Sequence, residues 1–316
     1  MEKITLGISA CLLGENVRYD GGQKHDRFLT DTLGKYVTYR PVCPEVECGL
    51  GVPRESMRLV GNAESPRLVT TRTHQDHTER MIHWARQRVA MLEREELCGF
   101  IFKSDSLSSG MERVKVYKEG GMPERKGVGV FARIFMEHFP LIPVEEEGRL
   151  HDPLIRENFI ERIFTLKRWV ESIKTGKSKG HLIDFHMRHK LLILAHSEKH
   201  ERIMGRLVAQ NSNRTSLDNV YAQYQVLLME ALRLKATPKK HANVLQHMMG
   251  YFKQRLATDE KKELQEIIDQ FRQGYIPFIV PVTLINHYVR KYGQPYLQAQ
   301  HYLDPHPLEL QMRNHV

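Results

Sequence analysis

Cysteine is scarce in this sequence: there are four in 316 residues, and no two form a Cys-x2-Cys pair. That excludes a disulfide-built scaffold. It also gives little support to a structural zinc site, which takes four nitrogen or sulfur ligands. Long apolar runs are missing too. None approaches the roughly 18 residues that a membrane-crossing helix needs, so no membrane partner is expected. The N-terminal stretch MEKITLGISA lacks a basic segment followed by a long apolar one. No signal peptide is expected, and the cytoplasm is the default location. There is no repeat period of the kind that builds solenoids.

What is present is a globular composition, 41% hydrophobic and 27% charged, with a pronounced asymmetry. Residues 1–150 carry 22 Lys+Arg against 22 Asp+Glu, while residues 151–316 carry 25 against 16. The whole net charge of +9 therefore sits in the second half, with twelve of the 17 histidines. Such a half suits either contact with RNA or DNA or a helical surface rich in Lys and Arg.

The first half reads as α/β. KITLGIS (3–9), YVTYRPV (36–42) and CGFIFK (98–103) are short strand-like runs. QKHDRFLTDTLGK reads as a helix closed by Gly34, and residues 76–97 as an amphipathic helix with Met81, Trp84, Val89, Met91 and Leu92 on one face. Alternating strands and helices predict a mostly parallel sheet. The second half reads as all helix, five to seven of them. Tyr221, Tyr224, Leu228, Ala231 and Leu232 share one face, and Leu264, Ile267, Ile268 and Phe271 another. The expected organisation is an α/β N-terminal domain over 1–150, a connecting helix and hinge over 151–177, and an all-α helical C-terminal domain over 178–316.

Each of the three strand candidates runs into an unusual loop: SACLLGENVRYDGG (9–22), CPEVECGLGVPRE (43–55) and SDSLSSGMERVKVY (104–117). In an open parallel sheet these loops share the C-terminal edge, where ligands bind. Cys11, Cys43, Cys48 and the serines at 104–109 are thus candidates to converge. Cys98 starts its strand and belongs near the opposite edge, as a small buried apolar residue. Scattered thiolates suit an iron–sulfur cluster, and three on a four-iron cluster leave one iron open as a sulfur-seeking Lewis acid. Glu45, between two of the thiols, is placed to activate water or move protons.

These three loops resemble the thiouracil desulfurase (TudS) family, also known as domain of unknown function 523, over about residues 3–145. FHMRHKLLILAHS (185–197), KKHANVLQHMMGYFK (239–253), YIPFIVPVTLINHYVRK (275–291) and QPYLQAQHYL (294–303) resemble the YbgA-like family, domain of unknown function 1722. The first resemblance implies non-redox removal of sulfur from a thiolated pyrimidine by a [4Fe-4S] cluster held by three cysteines. Cys11 and Cys43 match cluster positions and Glu45 the catalytic carboxylate. Ser106 or Ser108 falls in the accompanying serine loop, and Asp20 and Arg54 lie in motif loops as candidates for substrate contact. The departure is Ser109, which stands where the family carries cysteine; Val17 also replaces a cysteine found in many relatives. Three readings follow: Cys48 supplies the third thiolate, Ser109 ligates through oxygen, or the cluster is lost.

In the second half, His186, His189 and His196 share a helical face, with His241 and His247 on another helix. They suit capping or groove-lining roles better than metal binding, because no carboxylate accompanies them at a diagnostic spacing. Lys190, Lys239, Lys240, Tyr251 and Lys253 suit phosphate contacts. The leading expectation is a desulfurase. The alternative is a nucleic-acid-binding or regulatory protein with a basic helical domain and a degenerate cluster site.

Overall fold

The computed structural model describes residues 3–118, 122–209, 216–310 and 312–314. The chain divides into two compact units, Met1–Ile155 and Arg156–Val316. Among the described residues, no helix is long and apolar enough to cross a membrane.

Among the described residues the first unit holds eight strands: β1 (Ile4–Ser9), β2 (Val37–Val42), β3 (Met57–Val60), β4 (Arg67–Thr70), β5 (Gly99–Phe102), β6 (Val114–Tyr117), β7 (Glu124–Gly127) and β8 (Val144–Glu146). Its helices are α1 (Pro44–Glu47), α2 (Thr78–Leu92) and α3 (Val130–His138). One sheet runs β2-β1-β5-β8 and is parallel throughout. This bears out the expected α/β class. Pro41 is tolerated because β2 lies at the edge, where a missing N–H costs no ladder bond. β5 (GFIF) is buried along its whole length, as a central parallel strand must be. The order changes direction at β1, since β2 lies on one side of it and β5 on the other. That is the switch point where the loops leaving neighbouring strands part and open a crevice.

Phe100 and Phe102 of β5 pack on Phe131 and Phe135 of α3 and on Ala85 and Val89 of α2. The Phe100 and Phe135 ring centroids are 4.7 Å apart. The buried stripe of α2 is Met81, Ala85, Val89 and Leu92. Met91, expected on that stripe, points outward and is 60% exposed. Ten residues beyond Met81, it has rotated off the inward face.

A second sheet, β4-β3-β6-β7, was not foreseen. Its strands are four residues long, and β7 (ERKG) carries three charged side chains, so neither length nor alternation marked it. The segment read as a loop over 104–117 accordingly ends in β6. Residues 28–35 form a π-type turn (Phe28–Thr32) and a 3-10 turn (Leu33–Lys35) rather than one regular helix closed by Gly34.

The second unit contains most of α4 (Pro153–Lys174), then α5 (Lys179–His196), α6 (Glu198–Ala209), α7 (Leu217–Arg233), α8 (Pro238–Gly250), α9 (Thr258–Arg272), α10 (Ile279–Tyr292) and α11 (Pro295–Gln298). The expected helical class holds. The apolar face of α7 is buried as its spacing predicts. Ser178, Ser216 and Thr237 cap the N-termini of α5, α7 and α8 by accepting bonds from backbone N–H groups.

Gly7 lets β5 lie close against β1, since a Cβ there would meet the Phe100 ring at 2.1 Å. Gly7→Ala is therefore expected to destabilise the first unit by about 1–3 kcal/mol, the usual cost of overpacking. A urea titration followed by tryptophan fluorescence checks this. An unchanged midpoint would show that Phe100 has room to move.

Candidate functional site

β1 ends at Ser9, and a 3-10 turn, Ala10–Leu13, follows at once. Gly14 closes it at φ 94°, a left-handed value that favours glycine. The Cys11 carbonyl accepts bonds from the Gly14 and Lys24 N–H groups. β2 ends at Val42, and Cys43 occupies the N-cap of α1 with Pro44 at the first helical position. The Cys43 N–H donates to Glu47 Oε1 at 2.9 Å. β5 leads into the serine loop, and the Lys103 N–H donates to Ser9 Oγ at 2.9 Å, so the ends of β5 and β1 are tied.

The serine loop is held from both sides by absent side chains. A Cβ at Gly129 would meet the Ser108 carbonyl at 2.5 Å, and one at Gly110 would meet the Ser106 carbonyl at 2.7 Å. Ser109 N–H donates to Ser106 Oγ at 3.1 Å. Ser108 Oγ donates to Glu45 Oε1 at 2.7 Å and lies 3.2 Å from Ser106 Oγ and 3.4 Å from Ser109 Oγ. The Cys43 thiol points at Glu45 Oε2 at 3.7 Å, and Arg54 Nη2 is 3.8 Å from the same oxygen.

A cavity of about 460 Å³ opens over this arrangement, with Cys11, Cys43, Glu45, Arg54, Ser106 and Ser109 in its wall. Arg18, Tyr19, Lys24 and Lys103 also line it. The sequence reading missed them, since an isolated cation or tyrosine carries no spacing signal. Lys103 Nζ is engaged by Glu147 Oε1 at 2.5 Å and by the Ser104 carbonyl at 2.9 Å.

Three of the candidates, Cys48, Asp20 and Ser108, are not in the cavity wall, Ser108 being buried behind Glu45. The Cys48 thiol donates to the Glu45 carbonyl at 3.3 Å, and the residue packs with Leu59, Leu68, Met81, Val114, Val116 and Val130. Cys43 and Cys48 flank α1, and five residues at about 100° each turn the second thiol roughly 140° from the first. Asp20 is exposed and accepts the Gly22 N–H at 3.0 Å, a turn-stabilising contact. Cys98, expected away from this edge as a small buried residue, is buried just ahead of β5, where its N–H donates to the Thr5 carbonyl, and it does not line the cavity.

Burial pushes the Cys11 thiol up to about 11, against the opposing pull of Lys103 and Arg18. Burial, reinforced by the Glu45 carboxylate, pushes Cys43 up to about 12. Both are protonated thiols at neutral pH until a cation replaces the proton. Two thiols and one serine hydroxyl facing a common cavity fit an iron–sulfur group attached through two sulfurs and one oxygen. Oxygen is the harder donor and the poorer match for iron in such a group.

Residues 6–147 match the family model described as 2-thiouracil desulfurase, and residues 190–307 one described as protein of unknown function (DUF1722). The motifs' two resemblances are borne out: the chain joins a 2-thiouracil desulfurase region to a YbgA-like region. It belongs to the family of the uncharacterized protein YbgA of Escherichia coli (strain K12). The two are 35% identical over 153 residues, 48% of this chain and 90% of that protein. A solved chain, a [4Fe-4S]-dependent thiouracil desulfidase TudS (DUF523Vcz), is 29% identical, with a TM-score of 0.39. The match covers 48% of this chain and 95% of that one.

The buried thiols carry a pH signature. Their ordinary value is 9.0, so an unfolded chain releases these protons from about pH 9 while the folded chain keeps them toward about 11 and about 12. The unfolded state then binds fewer protons, and stability falls as pH climbs through that window. In metal-free protein, Cys11→Ala combined with Cys43→Ala is expected to flatten the decline of the urea midpoint between pH 9 and 11. An identical decline in the variant would contradict the burial argument.

Proposed function

We propose that the first unit removes sulfur hydrolytically from a thiolated pyrimidine, with a [4Fe-4S] cluster held by Cys11, Cys43 and Ser109. The observation that supports it best is the single cavity wall that joins two thiols, Ser109 and Glu45, with Ser108 buried behind Glu45 and bonded to it. Ser109 takes the third place in this reading because Cys48 packs into the apolar cluster behind α1. When bound, the cluster would supply an iron with affinity for the substrate's sulfur.

The chain's own groups account for the proton movements. Replacing C=S by C=O consumes one water and releases sulfide, with no change in electron count. Glu45 presents a carboxylate to the cavity and accepts a proton from the attacking water. Ser108, donating to Glu45 at 2.7 Å and adjoining Ser106 at 3.2 Å, fixes that carboxylate and offers a path for the proton. Arg54, Arg18 and Lys103 in the cavity wall favour an anionic substrate or an anionic leaving sulfide.

Anaerobically prepared protein is expected to carry close to four iron and four sulfide per chain, the content of one such cluster. Cys43→Ala should lose the iron, and Cys48→Ala should keep it. Ser109→Cys should retain iron longer in air than the native chain. Glu45→Gln should keep iron while turnover of 2-thiouracil falls about 10²–10⁴-fold. Protein that stays iron-free after reconstitution, or iron lost in Cys48→Ala, would overturn the assignment.

A nucleic-acid role for the second unit has one specific observation in its favour. Tyr251 and Tyr296, whose rings stack at 5.1 Å, line a cavity of about 250 Å³ in which Lys190 and Arg202 pair with Glu201 and Glu198 of the same wall. The stacked tyrosines, rather than the neutralised charges, are what suits the bases of a single strand. Full-length protein is expected to bind RNA with an affinity that drops steeply with salt. Tyr251→Ala should weaken it several-fold, and binding indifferent to salt would exclude this reading.

A further inference from the structure

Glu157 and Glu161 stand one turn apart on α4, and both are buried. His306, from the segment after α11, is buried as well, at 7% exposure. One carboxylate oxygen from each glutamate and one ring nitrogen of His306 lie within 4.8 Å of one another. His306 Nδ1 is 3.3 Å from the Pro307 carbonyl, and its Nε2 is buried with no hydrogen-bond partner among the described residues. A buried imidazole nitrogen left without a partner is a donor or acceptor with unused capacity, and here the ring stands beside two carboxylates.

Arg313 shares this space without filling it. Its Nη2 is 3.2 Å from Glu161 Oε1 and its Nε is 3.6 Å from Glu157 Oε1. Charge-assisted pairs usually close to about 2.7–2.9 Å. Among the described residues Arg313 Nε and Nη1 form no hydrogen bond, and the guanidinium lies over the Phe278 ring at 4.8 Å from its centroid. The second oxygen of Glu161 is fixed by His196 Nε2 at 3.1 Å, and His196 Nδ1 is in turn 2.6 Å from the Leu234 carbonyl. An oriented carboxylate of this kind is the support that metal-binding side chains ordinarily have behind them. There is also a way in. A cavity of about 200 Å³ is lined by His306 and Arg313 and reaches the surface beside Thr283, Arg290 and the exposed Leu308.

We propose that Glu157, Glu161 and His306 bind one divalent cation of the class that accepts mixed carboxylate and imidazole ligands, such as Mn²⁺ or Zn²⁺. The ion takes over the neutralising role of Arg313, which swings toward the cavity. Ligand bonds of about 2.0–2.2 Å place ligand atoms about 3–3.5 Å apart, so the three side chains close by roughly 1 Å. The ion then ties α4 to the turn that carries His306.

Mn²⁺ is the probe of choice, since thiols compete for it poorly. Full-length protein, stripped with a chelator, is titrated with Mn²⁺ while the electron paramagnetic resonance signal of the free ion is followed. About one Mn²⁺ per chain is expected, with affinity at least tenfold weaker in Glu157→Gln and in His306→Gln. Circular dichroism checks that each variant keeps its helices. Cys11→Ser combined with Cys43→Ser should leave Mn²⁺ binding intact. No binding by the native chain, undiminished binding in a folded His306→Gln protein, or binding that disappears with the cysteines would each overturn the proposal.

Discussion

Everything in the first unit's cavity depends on the parallel pairing of β1 with β2 on one side and β5 on the other. Parallel strands deliver their following loops to one edge, so Cys11, Cys43 and the serine loop arrive together although they are far apart in sequence. The pairing is close because Gly7 leaves the Phe100 ring its space. Two further bonds set the fine geometry. Ser9 Oγ accepts the Lys103 N–H, fixing one strand end against the other. Ser108 Oγ binds Glu45, fixing the serine loop against α1.

The cavity's electrostatics follow from that enclosure. Burial keeps both thiols protonated, more so at Cys43, which also faces the Glu45 carboxylate. Positive side chains line the same wall but do not outweigh burial. A cation entering the cavity therefore exchanges with protons rather than joining preformed thiolates. In the proposed cluster site Ser109 would change the quality of the third donor and leave its place intact, because the loop around it is set by close backbone approach at Gly110 and Gly129.

Much of the first unit was legible because three strands of its parallel sheet, β1, β2 and β5, are short runs rich in β-formers, each followed by a loop rich in reactive residues. The second sheet was not, since four-residue strands with charged side chains carry no clear alternation. Cys48 looked equivalent to Cys43 when only proximity in sequence was weighed. The turn of α1 separates them, and that rotation appears only once the segment is known to be helical. The carboxylate pair on α4 is visible as an i, i+4 spacing, yet its histidine comes from a distant turn that no local pattern connects to it. Arg18, Lys24 and Lys103 gained their meaning from the cavity alone.

Ser109 has a consequence beyond ligand strength. A hydroxyl cannot climb the oxidation series that takes a thiol to sulfenic and sulfinic acids, nor can it close a disulfide. Cys48 and Cys98 are both buried outside the cavity, so among the described residues its wall holds two thiols, Cys11 and Cys43, beside the thioether of Met57, which oxidises to a sulfoxide but forms no disulfide. Oxidant damage in this cavity can cross-link only that pair. A wall with three thiols would offer three alternative disulfides.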